Sequence, residues 1–329
     1  MKKIAVVLAA ALLLAGPAAT AQKSPLLKGI RSTVYQKGPQ VRIYSEDVTE
    51  PVRIFVISDT HLFRSDEREE PFRQHSDRIA QTHHKTKHFQ TLDDTNPEEC
   101  LVKTVALAKE RHADAIALLG DMVSFPSEDG IEWLKEQLDA SGIPWFYTSG
   151  NHDWQYEGME GTLEELRETW TEKRLSPLYR GYDHKLYSVE IKGVKLIFLD
   201  NSIYEILPEQ LKAFRQEVKG KQPKILFYHI PFFAPGYSNH STAHPEWGLG
   251  SDNLYKIERR QPWPEDGPGP VSKDMWKAVL KACGKNNLLA TFCGHHHKEQ
   301  HSEVGPWHQF TVTANYTGGY YEVIIEPMD

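Results

Sequence analysis

Asn, His and Asp stand side by side in Gly150-Asn151-His152-Asp153, close behind the apolar run Ile143-Pro144-Trp145-Phe146-Tyr147. The carboxamide is a neutral oxygen donor, the imidazole a metal ligand or proton carrier, and Gly permits a sharp turn. Alone, such a tetrapeptide is most often a capped turn. Four further blocks change that reading: Asp59-Thr60-His61, Gly120-Asp121, His229, and Gly294-His295-His296-His297. Each follows an apolar run, and in α/β proteins ligands collect beyond the carboxyl ends of strands. On an extended chain, residues two apart face the same way. That spacing predicts that Asp59 converges with His61, and His295 with His297, while Thr60 and His296 turn aside.

Two carboxylates, one carboxamide and four imidazoles suffice for two adjacent divalent ions with one carboxylate bridging. The donors are oxygen and nitrogen without thiolate, which suits Zn, Mn or Fe rather than a structural zinc site. Two such ions leave a net positive pocket that attracts phosphate even in an acidic protein. Water bridging them ionises near neutral pH and becomes an in-line nucleophile, while the leaving alkoxide needs a proton donor.

The elements that position these groups follow from periodicity. Apolar runs at 52–57, 113–119, 143–147, 224–228 and 288–293 read as buried strands, with helices beginning near 97, 132, 207 and 275. Strand–helix alternation predicts parallel pairing through helical crossovers. Lys192-Gly193 joins two short strands as a hairpin, and strands at 310–313 and 321–325 end the chain.

Lys2 and Lys3, the apolar residues 4–14 and Ala19-Thr20-Ala21 have the form of a cleaved signal peptide over residues 1–21. The apolar run is too short for a stable span, and no Cys follows for lipid attachment, so an exported protein, periplasmic or secreted and without a membrane anchor, is expected. Residues 22–50 read as an N-terminal extension and 51–329 as one domain with insertions near 64–97 and 234–270. The formal charge is −7, from 38 basic and 45 acidic residues, and no Lys/Arg block occurs. A nucleic-acid groove is therefore not expected; a small phosphorylated partner is. Cys100, Cys283 and Cys293 are too few for a disulfide framework, and free thiols are preferred to a Cys283–Cys293 bridge. The first insertion holds His75, His83, His84 and His88 and reads as a polar helix near 72–89, solvated or forming a lid. The second holds Tyr237, Trp247, Tyr255 and Trp263; its Arg259 and Arg260 are expected to be solvated.

The five blocks, in this order, resemble the calcineurin-like metallophosphoesterase superfamily over residues 51–326. The resemblance implies a four-layer α/β/β/α sandwich with two central mixed sheets. It implies that Asp59, His61 and His297 hold a first metal, that Asn151, His229 and His295 hold a second, and that Asp121 bridges them. It also places Asn151 and His152 beside the substrate, with His152 as the candidate proton donor. Asp153 either orients His152 or caps the following turn. Two departures narrow the field. Ser124 stands where purple acid phosphatases have a metal-binding Tyr, and Met122-Val123-Ser124-Phe125 lacks the Asp-Arg pair of Ser/Thr protein phosphatases. Asp59-x-His61 and His229-Ile230-Pro231 look more like the broad group that contains bacterial phosphodiesterases. The expected activity is hydrolysis of a phosphate ester by a metal-bridging hydroxide, diesters slightly ahead of monoesters. A non-catalytic, metal-dependent binder of a phosphorylated ligand is the alternative of another class.

Overall fold

A computed structural model describes residues 31–77, 83, 85–234 and 269–328, and Arg31–Met328 cluster as one unit. The signal-like segment and residues 235–268, with Arg259 and Arg260, lie outside the described residues.

The chain begins with a hairpin, β1 (Ser32–Lys37) and β2 (Gln40–Ser45), followed by β3 (Val52–Ile57). A short helix α1 (Arg73–Ser76) and a ribbon, β4 (Thr86–Lys87) with β5 (Asp94–Thr95), lead to α2 (Pro97–Glu110). Next come β6 (Ala115–Leu118), α3 (Glu128–Ser141) and β7 (Trp145–Tyr147). Helices α4 (Leu163–Trp170) and α5 (Ser176–Tyr179) precede the hairpin of β8 (Leu186–Ile191) and β9 (Val194–Leu199). The second half holds α6 (Pro208–Glu217), β10 (Lys224–Phe227), α7 (Pro270–Lys285) and β11 (Leu288–Cys293). It closes with β12 (Gln300–Val304), β13 (Trp307–Thr311) and β14 (Tyr321–Pro327).

The strands form two six-stranded mixed sheets, ordered β1-β2-β14-β3-β6-β7 and β12-β13-β11-β10-β9-β8. Strands β3, β6 and β7 run parallel, as do β9, β10, β11 and β13, so the blocks of candidate ligands leave their sheets at corresponding ends. The expected four-layer α/β/β/α arrangement is the observed one. Leu101, Val105, Ile131 and Leu134 bring α2 and α3 into the larger core, while Leu211, Phe214, Met275 and Val279 bring α6 and α7 against the outer residues of the second sheet.

Strand β9 shows how the sequence divides between these layers. Val194, Leu196 and Phe198 join the inter-sheet core, whereas Ile197 and Leu199 join the helix-covered core, as a period of two requires. At the Phe198 level, Tyr187, Phe198, Phe227, Phe292, Phe310 and His301 are successive register partners. Their rings stack in one row across the sheet at centroid spacings of 5.0, 5.0, 5.8, 5.2 and 4.2 Å. Phe146 and Tyr321 of the first sheet meet this row at 5.8 and 6.2 Å. Cross-strand ring pairs of this kind stabilise a register beyond their buried area.

Two expectations need correction. Residues 32–45 are not an extension before the domain: β2 pairs with β14 along its whole length, burying Val41 and Ile43. Polar residues between them masked a half-buried strand. Among the described residues, the helix expected near 72–89 is seen only as the four residues of α1, with the β4–β5 ribbon beyond it. His-Lys-Thr-Lys at 84–87 offers no apolar stripe for a helix to bury, so local strand pairing wins. Helix α4 was not expected, although Thr162 and Glu165 form a reciprocal capping box that the sequence displays. Cys100, Cys283 and Cys293 are free thiols, as expected. Lys192 and Gly193 both have positive φ, as the predicted tight hairpin turn demands.

Replacing Phe198 with Ala is expected to cost about 3–5 kcal/mol through the cavity left in the ring row. Urea titration should show a lower midpoint at an unchanged slope; a midpoint equal to wild type would contradict the role given to the row.

Candidate metal centre

Both sheets stop one or two residues before the chemistry begins. Beyond Ile57, Leu118 and Cys293 the chain enters tight loops in which Asp59, His61, Asp121, His295 and His297 have φ of 54°, 50°, 51°, 71° and 58°. Non-glycine residues seldom occupy this left-handed region, and the cost persists only where neighbours impose it. Neighbouring loops do so here: Asp59 N–H donates to Gly120 O at 3.0 Å, His61 N–H to Asp121 O at 2.8 Å, and Gly294 N–H to His229 O at 2.9 Å. The expected convergence of Asp59 with His61 is therefore real but arises from turns, not from the pleat of an extended strand. His295 and His297 do not converge on each other: His295 falls with Asp121 and His229, and His297 with His61 and His83.

Two glycines let the loops after β6 and β7 touch. A Cβ on Gly120 (φ 85°) would lie 2.2 Å from Gly150 N, and one on Gly150 would lie 2.2 Å from Asp121 Oδ1. Asp153 clasps the same junction. Its buried carboxylate accepts from the backbone N–H groups of Asp121 (2.8 Å), Val123 (3.0 Å) and Gly150 (2.8 Å). Neither earlier reading of Asp153, orienting the His152 ring or capping the turn after it, describes this. It braces the loop that carries Asp121, a contact between distant segments that chain order does not show.

Asp121 lies at the centre. Its Oδ2 is 3.2 Å from His229 Nε2 and 3.8 Å from His61 Nε2. Its Oδ1 accepts the His152 backbone N–H at 2.8 Å. His229 Nδ1 is tied to Leu119 O at 2.7 Å, which aims Nε2 inward. On one side, His297 Nε2 is 3.2 Å from His61 Nε2 and 3.4 Å from Asp59 Oδ1, and Tyr316 Oη meets His297 Nδ1 at 3.2 Å. The Asp59 carboxylate also accepts the His295 N–H at 3.1 and 3.0 Å. The ligand atoms of Asp59, His61 and Asp121 lie within 4.8 Å of one another, and so do those of Asp121, His229 and His295. Asp121 is the member shared by both groups.

These residues fit a pair of divalent ions. Asn151 Oδ1 is buried without a hydrogen-bond partner, and two imidazole nitrogens face each other across the His61–His297 gap. Buried lone pairs that converge on one another are costly unless a proton or a cation lies between them. Asp59, His61 and His297 would serve one ion, Asn151, His229 and His295 the other, and Asp121 both.

Burial pushes the His61 imidazole well below its usual range, and the neighbouring His83 adds to this. Burial also resists ionisation of Asp121, but the facing His229, His152 and His61 outweigh it and hold the carboxyl well below its usual range. Burial would lower His229, yet Asp121 opposite it brings the imidazole up to about 10. The same contest, with Asp59 as the partner, raises His297. Imidazoles and carboxylates thus share protons that a bound cation would displace.

His152 presents its ring edge-on to His61 at 5.0 Å, with Nδ1 buried and unpartnered. Ser124, at the position noted for its missing Tyr, donates its hydroxyl to His61 O at 3.0 Å and so supports the loop. Behind the Asn151-His152 turn, Asp200 accepts from Ser149 Oγ (3.1 Å) and Ser202 Oγ (2.6 Å), and Ser202 Oγ in turn accepts from Trp154 Nε1 (2.8 Å).

Sequence reasoning missed His83. It was grouped with solvated insertion histidines, but its ring stacks on His61 at 4.3 Å and lies 4.5 Å from Tyr316. Its ligand atom falls within 4.8 Å of those of His61 and His297. Burial pushes it down to about 4, with the charges of His297 and His152 adding to the shift. The legible signal was the cluster of histidines itself. His88 instead accepts the Gln90 and Thr91 N–H groups in a local turn, His75 Nδ1 meets Glu157 O, and His84 lies outside the described residues.

The family model of calcineurin-like phosphoesterases matches residues 52–316. No curated protein matches the sequence. Among solved structures, a dimetal phosphatase from Danio rerio is 11% identical, with 82% of this chain and 91% of that one covered and a TM-score of 0.49. Purple acid phosphatase from yellow lupin seeds is 12% identical, covering 86% of this chain and 47% of that one, with a TM-score of 0.48. A phosphopantetheinyl hydrolase from Mycobacterium tuberculosis is 11% identical, with 82% and 92% covered and a TM-score of 0.40. At such scores no substrate is carried over from them.

Gly150→Ala is expected to push Asp121 Oδ1 out of place and deplete bound metal while far-UV circular dichroism stays native. Full metal content in that variant would show that the close approach of the two loops is not needed.

Proposed function

The chain belongs to the calcineurin-like phosphoesterase family and is a hydrolase of phosphoric ester bonds; from that premise we propose an exported, two-metal phosphoesterase that prefers diesters. The observation that carries the reading is Asp121, whose carboxylate is common to both candidate ligand groups and is also bonded to the backbone of His152.

When bound, two divalent ions supply an activated water and positive charge for the phosphoryl oxygens. The protein's own part is positional. Asp153 and the two glycines hold Asp121 at the junction of the loops, and Leu119 O fixes the imidazole of His229. His152 is anchored to Asp121 through its backbone, so its ring keeps a constant relation to the bridging carboxylate. With Nδ1 buried, the opposite ring edge is left to pass a proton to the departing ester oxygen.

The preference for diesters is supported by where two arginines that follow the Asp59–His61 block go. Arg64, three residues past His61, donates to Glu98 (2.9 Å) and Asp129 (3.2 Å). Arg68 is engaged with Asp66, Glu128 and Glu132. A monoester dianion asks for more positive charge beyond the ions than a diester monoanion, and these arginines are already committed. Export is supported by Lys2-Lys3, the apolar stretch and Ala19-Thr20-Ala21. Among the described residues no helix is long and apolar enough to cross a membrane.

The test is kcat/KM for a chromogenic phosphate bis-ester and the matching monoester, with Mn, Zn or Fe supplied and a chelator control. Faster turnover of the bis-ester, abolished by the chelator, is expected; a monoester preference would make the protein a phosphatase instead. His152→Ala should lower turnover about 10²–10⁴-fold with metal content unchanged, and undiminished turnover would remove His152 from proton transfer. Protein recovered from the cell exterior or periplasm should begin at Gln22; an intact Met1 terminus would count against export.

A further inference from the structure

A second set of metal-ligating side chains lies on the β12–β13 hairpin, apart from every residue assigned to the centre above. His301 and Glu303 alternate along β12, so their side chains leave the same face. In the antiparallel register Glu303 is opposite His308, and His301 is opposite Phe310, which puts His308 on the diagonal from His301. His301 Nε2 and His308 Nδ1 are 3.1 Å apart, and one ligand atom from each of His301, Glu303 and His308 lies within 4.8 Å of the others.

We propose that His301, Glu303 and His308 form an additional, surface-accessible site for a borderline divalent ion such as Zn²⁺ or Cu²⁺. Two imidazoles and a carboxylate match the donor preference of these ions, and three protein ligands leave coordination positions open to water. Two nitrogens each about 2.0–2.1 Å from one tetrahedral ion stand roughly 3.3 Å apart, close to the spacing seen. The spacing between His61 and His297 in the main centre, 3.2 Å, is nearly the same.

Four features make the site more than a chance cluster. Gly305 (φ 59°) and Pro306 form the two-residue turn that closes the Val304–Trp307 pair, so the register that aligns the three residues is short-range and rigid. His301 is held flat on Phe310 at 4.2 Å, at the end of the ring row that crosses the sheet. Glu303 forms no ion pair with Lys or Arg among the described residues, leaving its carboxylate available. Burial lowers both His301 and His308, each imidazole therefore keeping a lone pair at neutral pH.

The test counts Zn²⁺ bound after equilibrium dialysis in four proteins: wild type, His308→Ala, Asp121→Ala and the double variant. Wild type should hold about one ion more than His308→Ala, and Asp121→Ala should still hold an ion that the double variant loses. Glu303→Gln, which preserves the hairpin's shape, should weaken that ion's retention at least tenfold. With Cu²⁺ as the probe, loss of His308 should remove a nitrogen-coupled signal from the electron paramagnetic resonance spectrum. Equal ion counts and identical spectra with and without His308 would overturn the proposal and leave the two imidazoles as a hydrogen-bonded pair. Failure of the main centre would instead show as an unchanged count in Asp121→Ala, so the two readings fail separately. Turnover of His308→Ala should match wild type.

Discussion

The loops after β6 and β7 must come together closely enough to place Asp121 between the two groups of ligands. Everything else at the centre depends on that approach. Gly120 and Gly150 leave room for it, since a single Cβ on either would sit 2.2 Å from backbone or carboxylate of the facing loop. Asp153 holds it shut by accepting three backbone N–H groups, from Asp121, Val123 and Gly150, in a fully buried position. Burying a carboxylate is unfavourable unless its acceptors are filled, and here the backbone of the loop it organises fills them.

The two sheets supply the rest of the frame. Parallel strands deliver loops at corresponding ends, and the row of six rings from Tyr187 to His301 fixes the register of the second sheet against slippage. The strands lead into His229, His295 and His297 from one sheet, and Asp59, His61, Asp121 and Asn151 from the other. The two halves meet through backbone contacts such as Asn315 N–H to Ser58 O at 2.8 Å and His295 N–H to the Asp59 carboxylate. Several ligands sit in left-handed backbone, a strain tolerated because each loop is bonded to its neighbour. Stability in the sheets thus sustains geometry that the loops alone would not adopt.

The insertion between β3 and α2 contributes more than cover. Its His83 stacks on His61 and approaches His297, while its arginines are drawn into ion pairs with Glu98, Asp129, Glu128 and Glu132. One segment therefore adds an imidazole to the centre and ties itself to α2 and α3 through its arginines.

Residue types and their order were enough to single out the candidate ligands. Seven donors in five blocks, each behind an apolar run, are a local pattern, and apolar runs of strand length with period-two burial in β9 are local too. The sandwich architecture followed from the same blocks through family resemblance. What sequence could not show were contacts between segments far apart in the chain. The brace from Asp153 to the Asp121 loop, the entry of His83 into the centre, and the pairing of β2 with β14 all belong here. Each depends on which polar group lacks a partner once the chain is compact, and that is decided only when distant backbones have met.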